Sequence, residues 1–349
     1  MQQSLAEIKA GIGRLLLTAE RQQDGIAVHY SQASVHAGTL TGRRLEQVQW
    51  GFMRLVEDLG LQYNVVSYEQ IEQGQLDDYR VLLLPASAAI TPGEAAAIRQ
   101  FAQQGGLVVA DTVPGWLDHH CRTLDKGLLD DLFGVRRAGV PKRDGNAVIR
   151  VSRKGLIGHL HLETYDAGLQ AETAAAWAAG GDVPAVLVRN VGKGQCVVLN
   201  ADIGQYGSLR STGKANPVRQ LTSRLLEKAG VQPQTRVVDK QGQPVPTCEV
   251  VRFSDGGLHY IAIVSDHRLA DATTQEVSIH LPAQAVVYDI RTRELLGKTN
   301  VVQRTLAPGD PLLLALTPYV VERLIIEPET DECVPGEAAQ FAVHLSIGR

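Results

Sequence analysis

The stretch from Gln103 to Pro114 restricts the possible folds more than any other: Gln-Gln-Gly-Gly-Leu-Val-Val-Ala-Asp-Thr-Val-Pro. A helical pattern stops on Gly105-Gly106, an all-apolar run follows from Leu107 to Ala110, and Asp111 opens a loop broken by Pro114 and Gly115. Helix, glycine stop, buried strand and polar loop at the strand's carboxyl end form the repeating unit of an open α/β sheet. Ligands of such sheets sit in the crevice outside the carboxyl ends of the strands. The loop after Asp111 is therefore where chemistry is expected, if this part of the chain performs any.

Similar units flank it. Leu5, Ile8, Ile12, Leu15 and Leu16 predict an amino-terminal helix weakened by Gly11 and Gly13. Ile26 to Tyr30 reads as a first buried strand and Ser31 to His36 as the polar loop after it. Arg43 to Leu59 is an amphipathic helix, and Tyr63 to Ser67 and Arg80 to Pro85 are the next strands. Thr91-Pro92-Gly93-Glu94 combines an N-cap, a proline in the first helical position and a capping-box glutamate, opening a helix to Gln103. Leu124 to Phe133 predicts a short helix. Ala147 to Val151, Leu160 to Thr164, Ala185 to Arg189 and Gln195 to Asn200 read as strands, and Pro217 to Lys228 as a closing helix. Alternating strands and helices over short loops require parallel pairing.

Beyond a linker with three prolines over 232–246 the period changes. Glu249 to Phe253, Leu258 to Val264, Glu276 to Leu281, Ala285 to Ile290, Val301 to Leu306, Pro311 to Leu316 and Val320 to Glu327 are short β-rich runs punctuated by turns. This pattern predicts an antiparallel sandwich. The expected division is therefore a helix over 1–24 ending an upstream domain or linker, an α/β domain over 25–231, the linker, and a smaller antiparallel β-sandwich over 247–329. The tail over 330–349 reads as the opening strand of a further β-domain, or as an added edge strand.

Charge and cysteine usage narrow the function. The net charge is −4, and without a Lys/Arg run a nucleic-acid partner is not expected. Four cysteines lie far apart with no C-x-x-C pair, so reduced thiols are the default, with neither a zinc site nor a disulfide framework. No apolar run is long enough for a membrane span, and the amino end lacks the regions of a secretory signal, so a cytoplasmic location is expected.

Four candidate chemistries can be weighed. A nucleophile needs a thiol or hydroxyl on a sharp strand-to-helix turn. The turn Leu84-Pro85-Ala86-Ser87-Ala88-Ala89 offers only Ser87, more simply an ordinary loop serine. Cys196 opens a strand and reads as core, while Cys121 lies past the fourth strand. The run Asp118-His119-His120-Cys121 contains four metal-capable side chains, yet adjacent loop residues seldom all point at one ion, so no metal or other cofactor is expected. A glycosidase carboxylate pair is not singled out, although Glu163, Asp111 and Asp202 approach the carboxyl edge. The last candidate is a rim of Tyr30, Ser31, Gln32, Ser34, His36, Asp111, Trp116, Asp118, His119 and His120, with Trp50 and Tyr206 nearby. It suits either a subunit interface or a sugar-binding surface.

Ile26-Ala-Val-His-Tyr-Ser-Gln-Ala-Ser34 resembles the opening of the domain that follows the catalytic barrel in bacterial retaining β-galactosidases. That domain is the trimerisation domain, with a class I glutamine-amidotransferase-like fold. The resemblance continues in Asp78 to Pro85, Phe101 to Asp111, Leu132 to Val135 and Gly192 to Asn200, spanning about residues 26–229. It implies a flavodoxin-like or amidotransferase-like, mostly parallel sheet with helices on both faces. The run over 247–328 is similar, at superfamily level, to the small C-terminal β-domain of such glycosidases. The family's catalytic carboxylates lie on an upstream (β/α)₈ barrel with no counterpart here, so none carries over, and the amidotransferase triad is missing. The resemblance implies a non-catalytic accessory and oligomerisation module, expected to be excised from a longer glycoside-hydrolase-like polypeptide. Its partners would be copies of itself or an upstream barrel. A carbohydrate-binding module is the alternative, and an enzyme with an unrecognised site is a third reading.

Overall fold

The computed structural model describes the chain except residues 1, 43–44, 113, 138–140, 146, 154–155, 163, 181–182, 270–271, 329–335, 337, 339 and 349. Its first layer is a seven-stranded sheet. Strands β2 (Ile26–Tyr30), β3 (Asn64–Ser67), β4 (Val81–Leu84), β5 (Leu107–Asp111) and β10 (Gly194–Leu199) run parallel, in spatial order β3-β2-β4-β5-β10. At the β10 edge, β9 (Val183–Val191) and β8 (Ala175–Gly180) add antiparallel strands.

Alternation along the strands divides the core. Ile26, Val28, Val81, Leu83, Val109 and Val197 face α2 (Leu45–Glu57) and α6 (Asn216–Lys228). Ala27, Leu82, Leu84, Val108 and Val198 face α3 (Tyr68–Glu72), α4 (Pro92–Gln104) and α5 (Asp130–Phe133). Both sheet faces are thus covered, which is why the parallel strands read as continuous apolar runs. The predicted capping box forms: Thr91 accepts from Glu94 N–H, and Glu94 accepts from Thr91 N–H at 2.6 Å.

Two local expectations differ. Most of Ser31 to His36, read as loop, belongs instead to α1 (Gln32–Thr41), because Ser31 is an N-cap whose hydroxyl accepts from Ser34 N–H, and Gly42 closes the helix in the left-handed conformation. The helix expected from Leu124 begins only at Asp130, because the Asp130 carboxylate turns back to accept Gly127 N–H at 2.9 Å. Outside this sheet, β6 (Ala147–Arg153) pairs antiparallel with β7 (Leu156–Leu162).

The carboxyl-terminal region is a single seven-stranded antiparallel sheet, not the two-sheet sandwich expected over 247–329. It contains β11 (Arg236–Val238), β12 (Cys248–Asp255), β13 (Leu258–Ser265), β14 (Gln275–Asp289), β15 (Glu294–Leu306) and β16 (Leu312–Thr317). The 15-residue β14 breaks register between His280 and Ala285. Its first half pairs β11 and its second half pairs β16. One strand therefore serves two parts of a coiled sheet around Ile263, Val277, Ile279, Val287 and Leu314. The seventh strand is β1 (Glu20–Gln22), from the amino-terminal segment, which pairs β12. The helix before it is broken at Gly11, whose φ is +128°.

Val320 to Glu327, expected as a strand of the sandwich, lies instead in β17 (Val320–Pro328) of a separate two-stranded ribbon with β18 (Phe341–Gly348). No helix among the described residues is long and apolar enough to cross a membrane.

Candidate functional site

The carboxyl ends of β2, β4, β5 and β10 converge on the edge where the sequence places its candidate residues. The turn after β4 is sharp: Ala86 has φ +41°, rare for a residue with a Cβ. Three side chains hold it. The Asp111 carboxylate accepts Ala86 N–H at 2.8 Å, and the Ser31 and Ser34 hydroxyls donate to Ala89 O at 3.0 and 2.8 Å. Beneath them Ser87 Oγ lies 2.8 Å from His29 Nδ1, and His29 Nε2 lies 2.9 Å from Glu94 Oε1. The Ser87 hydroxyl also lies within donating reach of Pro85 O, at 3.3 Å, so the imidazole is bonded at both ring nitrogens and the serine on both sides.

This Ser–His–Glu connectivity is that of a hydrolytic triad. Access decides against that use. Ser87 and His29 are 0% exposed and Glu94 1%. A nucleophile must reach a substrate carbonyl, whereas this hydroxyl is sealed beneath its own turn. The residue on the strained turn itself is Ala86, which carries no nucleophile. The cluster straps β2, the β4–α4 turn and the start of α4 together. Sequence reasoning passed over His29 because it sits in an apolar strand, and over the second role of Glu94 because its cap already explained it. A lone histidine inside a run otherwise buried was the available signal.

The predicted rim residues divide into three groups. Ser31, Ser34 and Asp111 are buried and engaged with backbone. Tyr30, Gln32 and His36 form a hydrogen-bonded row at the surface, Tyr30 OH donating to Gln32 Oε1 at 2.9 Å and Gln32 Nε2 lying 3.1 Å from His36 Nε2. Trp116 packs with Ala37, Ala88, Ala89 and Leu117, 8% exposed, and its indole N–H meets no hydrogen-bond partner among the described residues. Trp50 is exposed, and Tyr206 is buried against Asp58.

Asp118 pins its own loop. It accepts Arg122 N–H and His120 N–H, both at 2.9 Å, and these bonds hold its carboxyl below the usual range. His119 and His120 are exposed with ring centroids 4.0 Å apart, and Cys121 turns away toward Ala33 O. Among the described residues no three metal-capable side chains converge. Glu163 lies outside the described residues.

Farther along the edge, Arg137 is buried between Asp130 and Asp166. Burial pulls the guanidinium down and pushes the Asp166 carboxyl up. Asn200 at the end of β10 bonds Asp166 and Pro184 backbone. A second ionic cluster joins the two layers. Asp58, just beyond α2, accepts from Arg210, Tyr206 and Thr247 N–H, and Arg210 also reaches Asp266 at 2.8 Å. Arg54 meets the same Asp266 oxygen at 3.0 Å. Buried charges of this kind fix geometry more than they add net stability.

The comparisons agree with this architecture. Comparison with curated proteins found no match. Solved structures that are similar include the β-galactosidase from Bacillus circulans sp. alkalophilus, with 19% identity, TM-score 0.68, 89% of this chain covered and 44% of that one. A catalytic mutant of the GH42 β-galactosidase Gan42B from G. stearothermophilus has 16% identity and TM-score 0.67, covering 90% of this chain and 43% of that one. The cold-adapted β-galactosidase from Rahnella sp. R3 has 16% identity and TM-score 0.67, covering 89% and 44%. At these identities the likeness is one of fold, and the chain spans less than half the length of each. The family described as the β-galactosidase trimerisation domain matches residues 31–232, more than half of the sequence. The chain therefore belongs to the family of β-galactosidase trimerisation domains.

Proposed function

We propose that this chain is a non-catalytic oligomerisation module of a β-galactosidase-like glycoside hydrolase, holding copies together and walling part of the sugar cleft of an associated catalytic barrel. The observation that carries the reading is the filled carboxyl edge. The parallel strands follow the order 2-1-3-4-5, which is flavodoxin-like, and that order puts the ligand crevice between β2 and β4. His29, Ser31, Ser34, Ser87 and Asp111 occupy that place with bonds to one another and to backbone. An amidotransferase-like scaffold whose turn carries Ala86 has kept the fold's shape without its reaction. The functional units in this reading are the α/β domain over 25–231 and the antiparallel sheet after the 232–246 linker, with Phe341–Gly348 of the tail supplying one ribbon strand.

Light scattering on the purified chain, together with a β-galactoside hydrolysis assay, tests the proposal. An oligomeric mass without turnover is expected. Turnover by the chain alone overturns the non-catalytic reading, and a monomer at every concentration overturns the oligomeric one.

The exposed row Tyr30–Gln32–His36 favours a second reading, a carbohydrate contact at the same edge. It has hydrogen-bonding groups and the Tyr30 ring, but Trp116 of the predicted rim is buried and adds no stacking face. Titration with galactosides followed by NMR, with no shifts at Gln32 or His36, would remove it.

A further inference from the structure

On one side β12 pairs with β13 along its whole length. On the other side it meets three residues, with Glu20 against Ser254, Arg21 against Phe253 and Gln22 against Arg252. Without them this flank of β12 would be an open sheet edge with unpaired backbone groups. Three residues supply few ladder bonds, and side chains add to the hold. Gln22 Nε2 donates to Ser254 Oγ at 2.7 Å, and the Arg21 guanidinium donates to Gln62 Oε1. Gln62 is buried and donates in turn to Val250 O at 2.9 Å. Asp24 ends the segment: one carboxylate oxygen accepts Gln62 N–H at 2.7 Å and the other pairs with Arg252.

The residues before the strand cover a face of the same sheet. Leu15, in the helix Gly13–Thr18, and Ala19 pack with Phe253, Tyr260, Tyr288 and Ala315. Their chain neighbours Ile261, Val287 and Leu314 belong to the core on the opposite face, as strand alternation requires. Farther back, Glu7 reaches Arg291 at 2.9 Å. The chain then enters the α/β layer at Ile26 and rejoins the antiparallel sheet at Arg236. This sheet is thus built from two separate parts of the sequence, with the α/β layer inserted between them.

We propose that the segment through Gln22 is a clasp, and that the free flank of β12 with the Phe253–Tyr260–Tyr288 face is a peptide-docking surface. Strand addition supplies affinity through main-chain bonds, and side-chain contacts supply selection. The peptide that fits has apolar residues at positions 15 and 19, then an extended polar run at 20–22 with a cation at 21. Glu249 lies 3.8 Å from that cation. Recognition is a property of the sheet, so it persists when the covalent link through 23–25 is cut. This inference goes beyond the oligomeric reading and does not depend on it.

The test places a protease recognition sequence between Asp24 and Gly25 of the full chain, with far-UV circular dichroism to check the fold. After cleavage, residues 1–24 are expected to co-elute with the remainder on size exclusion without denaturant. A labelled synthetic peptide of residues 1–24 is expected to compete with the retained segment, read by fluorescence anisotropy. Successive strand residues turn their N–H groups to opposite sides, so a peptide with Glu20→Pro and Arg21→Pro loses a ladder donor whichever side faces β12. It is expected to bind at least tenfold more weakly. Hydrogen exchange on the unmodified 349-residue chain reads the same contact without the insertion. Among Glu20–Gln22, the amides turned to β12 are expected to be protected as β12 itself is. Release of the cleaved segment, equal affinity of the proline peptide, or exchange over 20–22 as fast as in a frayed terminus overturns the clasp.

Discussion

The Asp111 carboxylate accepts the backbone N–H of Ala86 at 2.8 Å, tying the end of β5 to the strained turn after β4. In related open sheets the ends of neighbouring strands bound a ligand crevice. Here the carboxylate is spent on holding backbone. Asp111→Ala leaves that buried N–H without its acceptor and is expected to cost about 1–3 kcal/mol in urea unfolding. Asp111→Asn retains an acceptor oxygen and should recover much of the loss. Equal stability of all three proteins would show that the bond does not hold the turn.

The buried Ser87–His29–Glu94 chain is a strap in this account. Ser87 should not react with a fluorophosphonate serine probe in the folded protein, and Ser87→Ala should leave the oligomeric mass unchanged. His29→Ala removes the donor to Glu94 and leaves a carboxylate at 1% exposure with one partner fewer, a loss of about 3 kcal/mol. Stoichiometric labelling of Ser87 would contradict the sealed geometry.

Gly51 lies within α2 where the helix meets the turn at Ile203. A Cβ there would sit 2.0 Å from Ile203 O and 2.7 Å from its carbonyl carbon. Gly→Ala inside a helix ordinarily gains about 1 kcal/mol. Backbone cannot yield as a flexible side chain can, so Gly51→Ala is expected to lose about 3 kcal/mol instead. A rise in Tm would refute the close approach of α2 to this turn.

Acid should loosen the joint between the two layers. Burial alone would push the Asp266 carboxyl up, but Arg268, through its side chain and backbone N–H, and then Arg54, hold it at about 2. A carboxylate with a depressed folded-state pKa contributes stability above its unfolded value, near 4, and loses it as pH falls through about 2. Asp266→Asn should therefore destabilise by about 2 kcal/mol at pH 6, and the difference from wild type should close between pH 4 and pH 2. A difference independent of pH would place its origin elsewhere than in the ion pairs with Arg54, Arg210 and Arg268.

The α/β layer was legible where one residue type had one use. Gly105-Gly106 before Leu107 to Asp111 gave helix end and strand together, and Thr91 with Glu94 gave a cap that forms as read. Legibility failed where a residue had two. Ser31 looks like loop composition but is the N-cap of α1, and Glu94 caps a helix with one oxygen while binding His29 with the other. Val320 to Glu327 has the β-rich composition of a sheet strand, and nothing in that composition tells a central sheet from a ribbon. The pairing with Phe341–Gly348 decides it, and that is a long-range relationship. At the site, the residue types of the rim were read from the sequence. Their division into buried tethers and an exposed row depends on which way each side chain turns at the ends of β2 and β5.

Sedimentation equilibrium of the wild-type 349-residue chain over a wide concentration range tests the central claim most directly. The account predicts a self-associated species whose mass is a whole multiple of 37.7 kDa and that persists on dilution. A single species at 37.7 kDa across the whole range would contradict it.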